Sequence, residues 1–251
     1  MSEPIGSIRI PEWFQGPTGT GNGGWSAAEF SKVVGESASY AIRAPVPLDT
    51  ELEVTKHDTG WQVTNTTGPE PVVILEAEPW KPSVASTTPV SIEEAIAARG
   101  RFAMSGELHP VPFCFSCGVQ HDSMNVHAGP LGDGRYATDW TVPQWATAGD
   151  GTVNRGAVWA ALDCASAWYV CCEPSFTYAF TVQYAVEIVE PILPGGTYAI
   201  VAWSGDAEPG WQGRKRQATS AAFDDAGVCV AKADSLWVSV ASPNAHGGNE
   251  A

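Results

Sequence analysis

Hydrophobic residues are arranged along this chain in two ways. In segments such as 51–56 and 61–65 they alternate with polar residues, and this period of two predicts strands with one buried face. Residues 154–168 behave differently. Ala157, Val158, Ala160, Ala161, Leu162 and Ala165 leave no polar stripe at helical spacing, which predicts a helix surrounded by protein. Asp163 is the only formal charge in that helix after Arg155. A carboxylate in such a place is costly unless it is paired, hydrogen-bonded or used.

Taken in order, the pattern predicts a strand at 7–10 and a helix over 24–34, with Asn22 as its cap and Gly35 as its stop. Strands follow at 38–44, 51–56, 61–65 and 72–78, divided by Pro- and Gly-containing turns. Residues 81–108 read as a linker in which Ser91-Ile92-Glu93-Glu94, a capping-box pattern, opens a short helix. Strands near 125–128 and 134–142 lead to the apolar helix over 155–171, capped by Asn154. Four more strands are predicted at 178–190, 197–204, 213–223 and 228–240, the last pair joined by a turn at Asp225-Ala226-Gly227. The Gly- and Asn-rich stretch 243–251 reads as a disordered tail.

Both halves show one order: an Asn- and Gly-containing helix start, an apolar helix, then four strands. That repetition predicts an internal duplication. Asn22-Gly23-Gly24 aligns with Asn154-Arg155-Gly156, and nine residues beyond the Asn stands Ser31 in one copy and Asp163 in the other. The expected units are 1–80 and 109–242, with 81–108 between them.

Composition narrows the functions. Of 251 residues 44% are hydrophobic, 11 are Trp and only 16% are charged, so a large core is available. A net charge of −15 argues against nucleic acid or an anionic membrane surface as partner, since both need clustered cations. No apolar run is long enough to span a bilayer. Met1-Ser2-Glu3-Pro4 lacks the basic-then-apolar pattern of a secretion signal, and six Cys without such a signal read as reduced thiols, so a cytoplasmic protein is expected.

Several residues could carry chemistry. The helix starts offer free backbone N–H groups suited to an anion or a polarised carbonyl oxygen. Asp163 is either a carboxylate bonded to a neighbouring strand or a functional acid, and the repeated helix start favours the second. His109, Cys114, Cys117 and His121 have spacing that could bind zinc, but one CxxC alone is more simply a pair of buried thiols, and no metal is expected. Cys164, Cys171 and Cys172 have no neighbouring His to activate them as nucleophiles. Trp25, Phe30, Trp159, Trp168 and Tyr169 on the two helices read as core or as the lining of an apolar tunnel.

These features together resemble the hotdog-fold acyl-CoA thioesterases. That family opens its helix with His-Gly-Gly and carries an acid nine residues after the His, the spacing of Asn154-Arg155-Gly156 with Asp163. The Gly213-Arg214 strand with the hairpin through Asp224-Asp225-Ala226-Gly227 is similar to the family's last hairpin, and Cys114-Phe115-Ser116-Cys117-Gly118 is similar to a segment ahead of the fold in some members. The chain departs from the pattern in having Asn for His at 22 and 154, Arg155 for Gly, and Ala167, beside Ser166, where a hydroxyl is common.

The resemblance implies an α+β double hotdog: two antiparallel sheets joined edge to edge, each wrapping a central helix. Asn22, Gly23 and Gly24 would face Asp163 in a competent site. Asn154 and Gly156 would face Ser31 in a vestigial one, with Ser166 near the substrate. Asp163 would be general base or nucleophile in thioester hydrolysis, a Gly23 or Gly24 N–H the oxyanion donor, and Asn22 the residue orienting the thioester or water. Arg214, Lys215 and Arg216, otherwise a solvated strand end, would clamp the phosphates of coenzyme A, with Arg214 and Arg216 on one face. The small-molecule partner is an acyl-CoA, no cofactor is needed beyond the coenzyme A of the substrate, and a homodimer of double hotdogs is compatible with the family. Two other functions fit the same fold: a non-catalytic acyl-CoA or lipid-binding protein, and an enoyl-CoA hydratase, although no His follows Asp163 within its helix.

Overall fold

Asn22 and Asn154 each start a long helix by the same device. Their side-chain oxygens accept from the backbone N–H of Trp25 at 3.0 Å and of Gly156 at 2.9 Å, satisfying a donor that the first helical turn leaves unpaired. In the computed structural model, which describes residues 3–35, 37–104, 109–119 and 122–241, these helices are α1 (Gly23–Val34) and α3 (Arg155–Cys172). Gly35 stops α1 in the left-handed conformation, with its N–H on Ser31 O. The Ser91 capping box opens the short α2 (Ile92–Arg99).

The strands are β1 (Pro4–Ile8), β2 (Ala38–Ile42), β3 (Leu52–His57), β4 (Gly60–Asn65), β5 (Val72–Pro79), β6 (Gly129–Pro130), β7 (Tyr136–Thr141), β8 (Ala179–Ile188), β9 (Thr197–Trp203), β10 (Lys215–Phe223) and β11 (Cys229–Ser239). All neighbours pair antiparallel, in the order β1-β3-β4-β5-β2-β8-β11-β10-β9-β7-β6. From β1 to β2 and from β7 back to β8 the order is the same, mirrored about the β2–β8 contact. The α+β expectation holds, but instead of two sheets meeting at their edges there is one eleven-stranded sheet. Tyr40 pairs with Tyr184 and Ala41 with Gln183, so two edges that would otherwise expose unpaired backbone groups satisfy each other.

The two helices pack on one another and against the sheet, α1 over β1, β2 and β8, and α3 over β7 to β11. Extra donors fix the buried α3: Tyr184 Oη gives a hydrogen bond to Trp159 O, and Ser220 Oγ one to Leu162 O. The interhelical core runs unbroken from Ile8 and Phe30 to Trp168 and Trp237. On β9, Tyr198, Ile200 and Ala202 enter this core, while Ala199, Val201 and Trp203 pack on the other side in a cluster that includes Ala95 and Ala98 of α2. The expected linker therefore supplies a cover for the back of the sheet.

Residues 125–128 do not form the expected strand. Val126 donates its N–H to Ser116 O and accepts from Trp168 Nε1, so its backbone groups go to the Cys114–Cys117 turn and to α3. The first strand lies at Pro4–Ile8, earlier than 7–10. The predicted tail and His121 lie outside the described residues.

Candidate functional site

The start of α1 meets the middle of α3 because both helices present glycine at their contact. A Cβ on Gly24 would stand 2.6 Å from Trp159 O and 2.9 Å from Asp163 Cβ, and one on Gly156 would stand 2.5 Å from the Trp25 ring. Only glycine permits either approach. It brings Gly24 N within 3.1 Å of Asp163 Oδ2 as donor. The other carboxylate oxygen, Oδ1, accepts from Thr181 Oγ1 of β8 at 2.7 Å.

Asp163 is only 4% exposed. Burial disfavours the charged form and pushes its carboxyl up to about 6, against the opposing pull of the hydrogen bonds from Thr181 and Gly24. The Gly23 N–H, also at the helix start, has no acceptor among the described residues. Asn22 is engaged at both ends of its amide: Oδ1 by the Trp25 N–H, and Nδ2 by the sulfurs of Cys164 at 3.7 Å and Cys114 at 3.9 Å. A cavity of about 260 Å³ opens onto Asn22, Gly23 and Asp163, with apolar walls that include Ile42, Trp168 and Phe180. A buried carboxylate made more basic by burial, an unpaired helix-start N–H and an apolar cavity can together activate a water beside a polarised carbonyl.

The other helix start lacks the acid. Arg155, in the middle position, turns its Nη1 to Ser31 Oγ at 3.0 Å, and that hydroxyl donates to Ala28 O. Of this helix start it is Arg155 that reaches Ser31, while Gly156 faces the Trp25 ring and gives its N–H to Asn154 Oδ1.

Other expected residues are placed differently. Ser166 does not face the cavity; its Oγ donates to Asp163 O and accepts from Ser235 Oγ of β11, so it belongs to the helix–sheet packing, and Ala167 faces the cavity instead. Arg216 is not a surface cation. It is 2% exposed, its guanidinium stacks on Tyr169, and its Nη1 donates to Val170 O and Glu173 O at the end of α3. It serves as a buried cap for carbonyls the helix leaves unpaired, out of reach of a ligand's phosphates. Arg214 and Lys215 remain exposed, Arg214 donating to Ser239 O. Lys215 pairs with Val238, and Val238 with Phe180 in the cavity wall, so it stands two strand spacings, about 10 Å, from the cavity.

Sequence reasoning missed Thr181 and Arg43, and weighed Cys164 only as a nucleophile. Thr181 sits on an alternating strand with no local mark of its role. Arg43, paired with Glu76 at 2.6 Å, lines the cavity. Cys164 follows Asp163 directly, and its sulfur lies 3.8 Å from that of Cys114. Adjacency to the acid was the one available signal.

No family model matches the chain, and no curated protein does. Solved structures do match. The Escherichia coli PaaI protein, from the phenylacetic acid degradation operon, is 15% identical, with 43% of this chain and 75% of that one covered at a TM-score of 0.38. A Streptococcus mutans UA159 protein solved bound to acetyl-CoA is 16% identical, with 43% and 83% covered at 0.39. A putative thioesterase related to phenylacetic acid degradation, from Ralstonia eutropha JMP134, is 19% identical, with 43% and 79% covered at 0.36. Each likeness spans less than half of this chain.

Among the described residues no helix is long and apolar enough to cross a membrane.

Proposed function

We propose that this protein hydrolyses an acyl-CoA thioester at the contact between α1 and α3, in a double hotdog whose units are 1–80 and 109–242. The mirrored strand order about β2 and β8 supports the duplication. The observation that carries the activity is the 3.1 Å approach of Gly24 N to Asp163 Oδ2 at the cavity wall, which joins the start of one helix to the acid of the other.

Asp163 takes a proton from water, and the hydroxide adds to the thioester carbonyl. The oxyanion develops beside the Gly23 N–H and the positive end of α1. Collapse expels the coenzyme A thiolate, which regains the proton from Asp163. Asn22 acts as the cap that fixes Gly23, Thr181 holds the carboxylate, and the apolar cavity takes the acyl group. Arg214 and Lys215 attract the phosphates of coenzyme A.

One observation favours a second reading, an acyl-CoA-binding protein without turnover. Both oxygens of Asp163 already accept hydrogen bonds, as in a structural carboxylate. A panel of acyl-CoA substrates with detection of released thiol separates the two. Release of coenzyme A that disappears in a folded Asp163→Asn variant supports hydrolysis. Tight binding without release leaves the second reading.

A further inference from the structure

Three thiols far apart in sequence converge beside the cavity. Cys114 and Cys117 come from the turn ahead of β6, closed by a Gly118 N–H to Cys114 O bond of 2.6 Å. Cys164 comes from α3. All three are buried, and their sulfur atoms lie within 4.8 Å of one another. Cys114 Sγ and Cys164 Sγ are 3.8 Å apart. That is far beyond a disulfide bond, but two thiolates bound tetrahedrally to one zinc ion at ~2.3 Å stand ~3.8 Å apart.

Buried cysteines often act as small hydrophobes. Two of these sulfurs instead attract a polar donor. Asn22 Nδ2 points to those of Cys164 and Cys114 at 3.7 and 3.9 Å. A donor aimed at two of the sulfurs fixes their orientation, as outer partners do for metal ligands. The turn that supplies two of the sulfurs is held to α3, which supplies the third, by the Ser116 Oγ bond to Ala160 O at 3.0 Å.

We propose that Cys114, Cys117 and Cys164 bind one divalent ion of the zinc class, whose fourth ligand comes from the cavity. All three cysteines line that cavity with Asn22 and Asp163. Three protein ligands with a fourth position open to a water or a bound molecule is the coordination of reactive rather than purely structural zinc sites. Soft thiolates select zinc-class ions over magnesium or calcium. Each thiol that ligates releases its proton to solvent. The ligand set differs from the His109–Cys114–Cys117–His121 spacing: Cys164 completes it, and His109 stands outside the sulfur triangle. The inference rests on the sulfurs alone and does not depend on thioester hydrolysis.

The test uses the full chain, reduced with a phosphine, loaded with Zn(II) and freed of excess ion by gel filtration. Elemental analysis should find one zinc per chain. Titration with Co(II) should give thiolate-to-cobalt absorption in the near ultraviolet and the strong visible bands of tetrahedral cobalt, saturating at one ion per chain. Cys164→Ser should lose ~one third of the ultraviolet intensity, the share of one thiolate in three, while Cys229→Ser, on β11, should lose none. The titration of the native chain stands alone if Cys164→Ser fails to fold. Native protein that is folded and reduced but retains neither ion overturns the proposal, as does a folded Cys164→Ser with undiminished cobalt bands.

Discussion

The starts of α1 and α3 share their architecture and differ in what opposes them. Both are capped by Asn, and both carry a glycine on which the other helix rests. Opposite Gly24 stands Asp163, at the wall of an apolar cavity. At the α3 start the hydroxyl of Ser31 is engaged by Arg155. The caps and glycines therefore serve helix packing whether or not a site follows, and the chemical difference between the two ends lies in one carboxylate and one guanidinium. A helix-start motif by itself marks a place where two helices touch.

The comparison breaks or sharpens most at Asp163. Asp163→Asn, nearly isosteric, should lower thioester turnover by ~10²- to 10⁴-fold with thermal melting little changed. A folded variant with native turnover would make the two ends chemically equivalent.

The glycines come next. Gly24→Ala drives a Cβ into the backbone of α3, which cannot yield without separating the helices. A loss of ~1–3 kcal/mol is expected, seen as a melting temperature lower by ~2–4 °C per kcal/mol, with turnover falling as well. Gly156→Ala meets the Trp25 ring, which stacks on Phe14 at 3.5 Å, so stability should fall while turnover is retained. Equal turnover losses in the two variants would mean that only packing is being read.

Thr181→Val keeps the shape of the side chain and removes the donor to Asp163 Oδ1. The carboxylate loses one of its two partners, and a stability cost of ~1–3 kcal/mol is expected from chemical denaturation, with reduced turnover. Smaller still is Arg214→Glu, which should weaken coenzyme A binding in calorimetry by an amount that shrinks as salt is raised. Salt-independent affinity in that variant would remove Arg214 from the binding surface. Ser31→Ala should leave turnover within about twofold, since its end has no base to lose.

Much of this was legible in the sequence because it is encoded locally. The Asn caps, the Gly35 stop and the Ser91 capping box depend on residues within one turn of each other. Strand positions followed from alternation, and the apolar helix with its single acid followed from the missing polar stripe. Asp163 stood out as the only formal charge after Arg155 in an otherwise apolar helix, and the nine-residue spacing added weight only through the family resemblance. Pairings between distant segments had no such mark. Alternation put Arg216 and Lys215 on opposite faces of β10, but only the end of α3, arriving from residues 170–173, decided that the Arg216 face is buried. The same holds for Ser166, turned to Ser235 by the way α3 lies on the sheet, and for residues 125–128, whose backbone found partners outside any ladder. Two edges became one sheet through Tyr40 and Tyr184, and three cysteines became a cluster through the docking of one turn on one helix. Helical period, caps and turns are set by neighbours in the chain, whereas which groups meet across the core is set by the least costly burial of the whole, and that is a property of the tertiary structure.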